Sequence, residues 1–321
     1  MHVGRVLLVE PRGFCAGVET AVSALAWLVA LEPGPVYCLN EIVHNDDVAA
    51  RFRRLGVIFV GDLDDVPAGT SLVLSAHGTA PRTAAAATLR AAVLVDAVCP
   101  LVTKVHREIA QRVRDGYTVL YAGRSGHDES TGALGVAPGS TLLVEDPVAA
   151  AAAADDLDGR PVAFVSQTTL LVEEVAAMEG AIRARRTDVW APTRSDLCFA
   201  TTNRQHAVRQ VADRADAVVV VGSASSSNTA SLERAARDAG CAIEWVIADV
   251  VDRLAPRDGV TTVRVSAEDE GFALPRALRR LLDDALAAGN LPAPLAELSS
   301  RPAGEVPAAL LLDAVERAAV R

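Results

Sequence analysis

Aromatic residues are scarce in this chain: three Trp, three Tyr and six Phe make up 4% of its 321 residues. Half of the residues are nevertheless hydrophobic, so the cores must be built from Ala, Val and Leu. A basic excess is lacking too. The formal net charge of −10 argues against nucleic acid or an acidic membrane surface as partner. Apolar runs are broken by charge well before the ~18 residues of a membrane span, and no segment has the pattern of a signal peptide. Cysteine is sparse, with five in all, and without an export signal these argue against a disulfide framework. The expectation is a cytoplasmic protein, compatible with a soluble enzyme, in which some cysteines serve metal or redox chemistry.

What is present is an alternation. Short apolar runs at Val57–Val60, Leu72–Leu74, Thr118–Tyr121, Val162–Val165 and Val218–Val221 are separated by longer stretches with helical character. Such runs read as strands buried on both faces, and the alternation predicts an α/β architecture with mostly parallel sheets. Length alone allows roughly two domains, or three small ones.

Three cysteines share one setting: Glu10 to Cys15, Asp96-Ala97-Val98-Cys99 and Asp196-Leu197-Cys198, each followed by a potential helix. They recur at nearly equal intervals. His44, His127 and Ser226 follow them at almost identical spacing, and His77, Thr168 and Ser266 come later in each period. The repeat predicts three α/β modules, residues 1–97, 98–194 and 195–285, each donating one cysteine. Polar loops gather at the carboxyl ends of the strands in such modules, so three of them facing one another would place three thiolates in one cleft. Residues 286–321 read as an extension with linker-like Pro-containing segments and a short helix, packed on the surface or on a partner.

Structural zinc sites use closely spaced Cys or His pairs and four protein ligands. Three isolated cysteines fit better an iron–sulfur cluster with one iron open to substrate. Cys15 lies in Pro11-Arg12-Gly13-Phe14-Cys15-Ala16-Gly17-Val18-Glu19, a strand-to-helix turn where backbone N–H groups can stabilise a thiolate. Cys38 and Cys241 read as core positions. The loops Ser75-Ala76-His77-Gly78-Thr79, Gly126-His127-Asp128-Glu129 and Gly222 to Asn228 form a polar ring suited to an anion, the last opening a helix at about Ala230. His44, His77 and His127 are candidate ligand-binding residues, whereas His2, His106 and His206 read as solvent-facing or structural. Glu129 is the best proton donor in the set, since a shielded carboxyl beside an anion would hold its proton.

These segments, together with Glu41-Ile42-Val43-His44-Asn45, Cys99-Pro100-Leu101-Val102-Thr103-Lys104-Val105-His106, Gln167-Thr168-Thr169-Leu170, Cys198-Phe199-Ala200-Thr201 and Ser226-Ser227-Asn228, strongly resemble the 4-hydroxy-3-methylbut-2-enyl diphosphate reductase family. That family catalyses the last step of the methylerythritol phosphate route to isoprenoids. The resemblance runs from about residue 5 to about residue 250.

The resemblance implies a trefoil of three pseudo-repeated α/β domains around a central iron–sulfur cleft, with a 4Fe–4S cluster on Cys15, Cys99 and Cys198. It implies that the substrate hydroxyl meets the open iron, and that His44, His77, Ser226 and Asn228, with Ser227 beside them, bind diphosphate. His127 would assist proton delivery, Glu129 would supply the proton and Thr168 would orient the hydroxyl. Two electrons from a ferredoxin or flavodoxin would yield isopentenyl and dimethylallyl diphosphate.

The chain departs from the family pattern at Glu19-Thr20, at Thr131 and Ala133, and at Ser266 to Pro275, where acids and Ala273 stand in place of a diphosphate-binding serine turn. A paralogue acting on another allylic alcohol, or a non-catalytic iron–sulfur sensor, is therefore an alternative.

Overall fold

The structure is a computed structural model; it describes residues 7–157, 159–246, 261–263, 284–285, 287–288, 291, 293–299 and 306–319. The turn from Ser266 to Pro275 lies outside the described residues.

Strands and helices alternate as the sequence predicts. The chain runs β1 (Leu7–Val9), α1 (Ala16–Leu31), β2 (Val36–Leu39), α2 (Asp46–Arg54), β3 (Ile58–Val60), β4 (Ser71–Leu74), α3 (Pro81–Arg90), β5 (Val93–Asp96) and α4 (Pro100–Arg114). It continues with β6 (Thr118–Ala122), α5 (Asp128–Leu134), β7 (Thr141–Val144), α6 (Pro147–Asp156), β8 (Val162–Ser166), α7 (Val172–Arg183) and β9 (Val189–Trp190). Then come α8 (Phe199–Ala212), β10 (Ala217–Val221), α9 (Ser227–Asp238), β11 (Ala242–Val246) and β12 (Thr261–Val263). Two C-terminal helices, α10 (Ala293–Ser299) and α11 (Ala308–Ala319), complete the described elements.

Two compact units are formed. One comprises Phe14–Gln111, Ser125–Thr141 and Asp269–Arg321, the other Met1–Gly13, Arg112–Arg124 and Leu142–Glu268. The first holds a parallel sheet in the order β3-β2-β4-β5, with Cys38 beside Val73 and Val73 beside Val95. The second is built around the sheet β7-β6-β8-β9, in which β6, β8 and β9 are parallel. It also contains the parallel pairs β10-β11 and β1-β12. The α/β class with parallel strands is thus as expected.

Every residue of β4 and of β8 is buried, as central strands with both faces covered require. β10 differs: Val218 and Val220 are buried while Val219 and Val221 are exposed. A valine run suits a pleated strand whether one face or both are covered, so it could not settle that point.

In the first unit, α1 buries Ala21, Val22, Ala24, Leu25, Ala26, Trp27 and Leu28. A helix apolar on nearly all sides needs cover on more than one. The C-terminal residues supply part of it. Leu295, Leu298, Ala308, Leu311, Leu312, Ala314 and Val315 join the same core, which corrects the expectation of a surface appendage. Ala308–Ala319 brings its apolar residues to one face, and that stripe had no other use in the sequence.

Candidate active site

In the unit that contains α1, site residues follow the carboxyl ends of parallel strands. His44 comes after β2, His77 after β4 and Cys99 after β5. Backbone bonds continue the ladder past the sheet. The Ala97 N–H donates to Leu74 O at 3.0 Å, Ala76 N–H to Ile42 O at 3.1 Å and Cys99 N–H to Ala76 O at 3.0 Å. These bonds tie the three loops to one another. At Gly78 φ is +87°, and a Cβ there would also stand 2.7 Å from Val102 Cγ1, so the turn after His77 demands glycine.

Each of the three repeated cysteines heads a helix. Cys15 and Cys198 are the N-cap residues of α1 and α8, neither capping with its side chain, and the Cys99 carbonyl accepts the Thr103 N–H of α4 at 3.0 Å. Their side chains therefore leave from helix starts, where the positive end of the dipole favours a negatively charged group. None of the five cysteines is in a disulfide. A Cβ on Gly17 would stand 2.9 Å from Cys99 Sγ and 3.9 Å from Cys15 Sγ. Glycine thus keeps open a cradle flanked by two sulfurs. That arrangement fits a thiolate-held cluster, and it agrees with the close backbone approach to the Cys15 sulfur that a glycine at position 17 allows. Cys38 is fully buried, and burial together with Glu41 pushes its thiol pKa up, as expected of an inert core residue.

The three candidate histidines of this unit meet. His44 and His77 stack with ring centroids 3.9 Å apart and planes 18° from parallel. His127 stands edge-on to both, at 4.9 Å from His44 and 5.7 Å from His77. His127 is the N-cap of α5, and its Nδ1 accepts the Glu129 N–H at 3.1 Å. This assigns the ring proton of neutral His127 to Nε2, leaving that atom a donor.

Burial, with His44 adding to it, lowers the His127 pKa to about 4. Burial, with His44 and then His127 adding to it, holds His77 well below the ordinary histidine value. At neutral pH both are uncharged. Asp128 is pushed up by burial, against the pull of His44, whose Nε2 is 3.7 Å from its Oδ2. The Nε2 atoms of His44 and His77 are buried and make no hydrogen bond among the described residues. Ligand atoms of His44, His77 and Asp128 lie within 4.8 Å of one another, close enough to hold one metal ion. Glu129 is buried in the first turn of α5.

His106, expected to be solvent-facing or structural, is structural and bears on the site. Its Cε1 would be 3.1 Å from a Cβ on Gly78 and 3.4 Å from one on Gly132. A Cβ on Gly132 would also meet Gly78 O at 2.7 Å. The loop of His77 and the helix of Glu129 therefore touch backbone to backbone, with the His106 ring packed against both. Burial lowers the His106 pKa and keeps the ring neutral. Its placement seven residues after Cys99, on the face of α4 that carries Val102 and Val105, was the available signal.

The remaining candidates belong to the other unit. Thr168 is buried, and its carbonyl accepts the Cys198 N–H at 3.0 Å. Ser226 caps α9, accepting the Thr229 N–H at 3.3 Å, so the helix opens at Ser227 rather than near Ala230. Ser227 Oγ accepts from Thr169 Oγ1 at 2.8 Å, and Asn228 Oδ1 accepts from Thr201 Oγ1 at 3.0 Å. Capping uses one lone pair of Ser226 and leaves its hydroxyl proton available. Thr201 and Gln167, whose Nε2 donates to Thr169 Oγ1 at 2.9 Å, orient this group through contacts that no spacing in the sequence reveals.

Comparison with known proteins adds four findings. A family model described as LytB protein matches residues 6–267. 4-Hydroxy-3-methylbut-2-enyl diphosphate reductase 2 of Mycobacterium bovis is 41% identical over 284 residues, covering 87% of this chain and 85% of that protein. The reductase of the same name from Acidothermus cellulolyticus is 42% identical over 276 residues, covering 85% of this chain and 80% of that one. A solved structure of the (E)-1-hydroxy-2-methyl-but-2-enyl 4-diphosphate reductase from Plasmodium falciparum superposes with a TM-score of 0.81 at 27% identity, covering 88% of this chain and all of that one.

Proposed function

The chain belongs to the LytB protein family, and from that premise we propose that it is a 4-hydroxy-3-methylbut-2-enyl diphosphate reductase. The relatives that share its length carry that name, which favours this activity over a paralogue acting on another alcohol and over a non-catalytic sensor. No helix among the described residues is long and apolar enough to cross a membrane. A cytoplasmic location and a ferredoxin or flavodoxin as electron donor complete the proposal.

The reaction removes an allylic hydroxyl with two electrons and two protons. One proton leaves with the oxygen as water, and the other ends on carbon to give isopentenyl or dimethylallyl diphosphate. In this reading Cys15, Cys99 and Cys198 hold a 4Fe–4S cluster, one from each of the modules 1–97, 98–194 and 195–285. The cradle at Gly17 supports two of those ligands. When bound, the cluster supplies the electrons and one iron site that accepts a ligand.

The chain's own residues do the rest. His44, His77 and His127 with Ser226, Ser227 and Asn228 bind the diphosphate. The observation that carries this reading is the meeting of three imidazoles with neutral members and unused Nε2 atoms. A diphosphate arriving there accepts hydrogen bonds from ring N–H groups, and its charge raises their pKa and draws in protons. Glu129, shielded from water, supplies the proton that leaves with the hydroxyl, and Thr168 orients that hydroxyl. Burial of Glu129 supports a carboxyl that keeps its proton until the C–O bond breaks.

The test is turnover by anaerobically purified, iron–sulfur-reconstituted protein given 4-hydroxy-3-methylbut-2-enyl diphosphate and a reduced low-potential dye. Formation of the two five-carbon diphosphates is expected. An intact cluster without turnover would sink the assignment.

A further inference from the structure

The C-terminal residues carry no motif, yet their last helix is fastened to two helices that begin beside site residues. The first tie is Glu19, in the first turn of α1. Its Oε2 accepts the N–H of Ala308, the first residue of α11, at 2.6 Å. The Glu19 N–H in turn donates to the Cys15 carbonyl at 2.9 Å. One residue thus links the cysteine that heads α1 with the start of α11. A carboxylate there satisfies an otherwise orphaned helix donor at the positive end of the α11 dipole.

The second tie is Arg51 on α2. Its Nε donates to Glu316 Oε1 at 3.0 Å and its Nη2 to Glu316 Oε2 at 2.8 Å, and Nη2 also meets Asp313. The Arg51 side chain is 17% exposed, so this bidentate pair is shielded from much of the solvent screening that weakens surface pairs. α2 opens at Asn45, which caps it by accepting the Val48 N–H at 3.0 Å, and His44 immediately precedes that cap. Between the two ties, Leu311, Leu312 and Val315 pack into the core that also receives Phe14, the neighbour of Cys15.

Apolar packing alone would cover α1 without fixing how α11 is rotated or shifted along it. A cap bond at one end and a forked arginine pair further along define both. Both polar ties reach helices whose leading residues belong to the site. We propose that α11 is a positioning element of the active site, holding Cys15 through Glu19 and His44 through Arg51; this rests on the reductase reading above.

The test uses the full-length reconstituted protein and follows cluster absorbance during chelator challenge, thermal unfolding and steady-state kinetics. Glu19→Ala is expected to speed cluster loss roughly five-fold, the effect of about one lost helix cap. Glu19→Gln, which keeps an acceptor for the Ala308 N–H, is expected to stay near the unmodified rate. Arg51→Ala is expected to raise KM for the diphosphate several-fold with kcat little changed. Leu312→Ala, which removes core volume and neither tie, is expected to lower Tm while leaving cluster lifetime and KM in place. Should Glu19→Ala fail to fold, Glu19→Asp withdraws the carboxylate by one methylene and takes its place. Cluster loss and KM that simply follow Tm across all variants, Leu312→Ala included, would overturn the proposal. Failure of the reductase reading shows separately, as missing turnover in the unmodified protein.

Discussion

The Glu129 N–H donates to His127 Nδ1 at 3.1 Å, so the residue proposed to give the proton fixes the tautomer of its neighbour. The bond closes the first turn of α5, where His127 serves as N-cap. It turns Nε2 of His127 into the hydrogen-bearing atom. A donor is thereby presented to an anion without the ring carrying charge beforehand.

Replacing Glu129 with Gln keeps the backbone donor and the side-chain shape but removes the acid. Turnover is expected to fall about 10²- to 10⁴-fold, the range for a lost general acid. Iron content and KM are expected to change little. Single-turnover and steady-state assays on the same cluster-loaded preparation check this.

Binding should take up protons. The His127 pKa is about 4 and His77 lies well below its usual value, so a diphosphate bound beside them, as proposed, would raise both. Affinity is then greatest at low pH and declines as pH rises toward the bound-state pKa values. Calorimetry of an unreactive diphosphate in buffers of different ionisation enthalpy should show net uptake near neutral pH. Release, or no exchange, would contradict the electrostatic picture.

The same histidines limit acid stability. In the unfolded chain His127 titrates near the ordinary 6.5, whereas in the folded protein it titrates near 4. Between those values the unfolded state binds more protons, so stability falls as pH drops from 6.5 towards 4. The loss from His127 is at most about 3 kcal/mol. Thermal unfolding of the cluster-free protein from pH 7.5 to 5 should show it, and His127→Asn should flatten the slope.

Gly17→Ala places a methyl 2.9 Å from Cys99 Sγ. Sulfur and methyl cannot share that space, so the cradle must widen. Iron bound per chain is expected to drop by half or more while far-ultraviolet circular dichroism is unchanged. Full iron loading would show that the cradle can give way.

Thr201→Val removes the hydroxyl that donates to Asn228 Oδ1 at 3.0 Å. The lost bond is worth about 1 kcal/mol. If Asn228 binds the diphosphate, KM is expected to rise about five-fold with kcat nearly unchanged, as loss of ground-state and transition-state binding alike requires.

The sequence alone determined the α/β class, because parallel strands buried on both faces leave continuous Val and Leu runs such as Leu72–Leu74 and Val162–Val165. It also singled out candidate chemistry-bearing residues, because three cysteines before helices recur at nearly equal spacing and His44, His127 and Ser226 follow them at almost the same distance. Tertiary structure decided the rest. Only packing brings His44 and His77 into a stack, lowers their neighbour His127 and sets Asp128 beside His44, since proximity across loops leaves no mark on local spacing. Only packing shows why Gly132 must be small, because the Gly78 carbonyl that fills its space comes from another loop. The C-terminal helix is the clearest case. Its apolar stripe could have faced a partner, and only the contacts of Ala308 with Glu19 and of Glu316 with Arg51 place it in the core of its own unit.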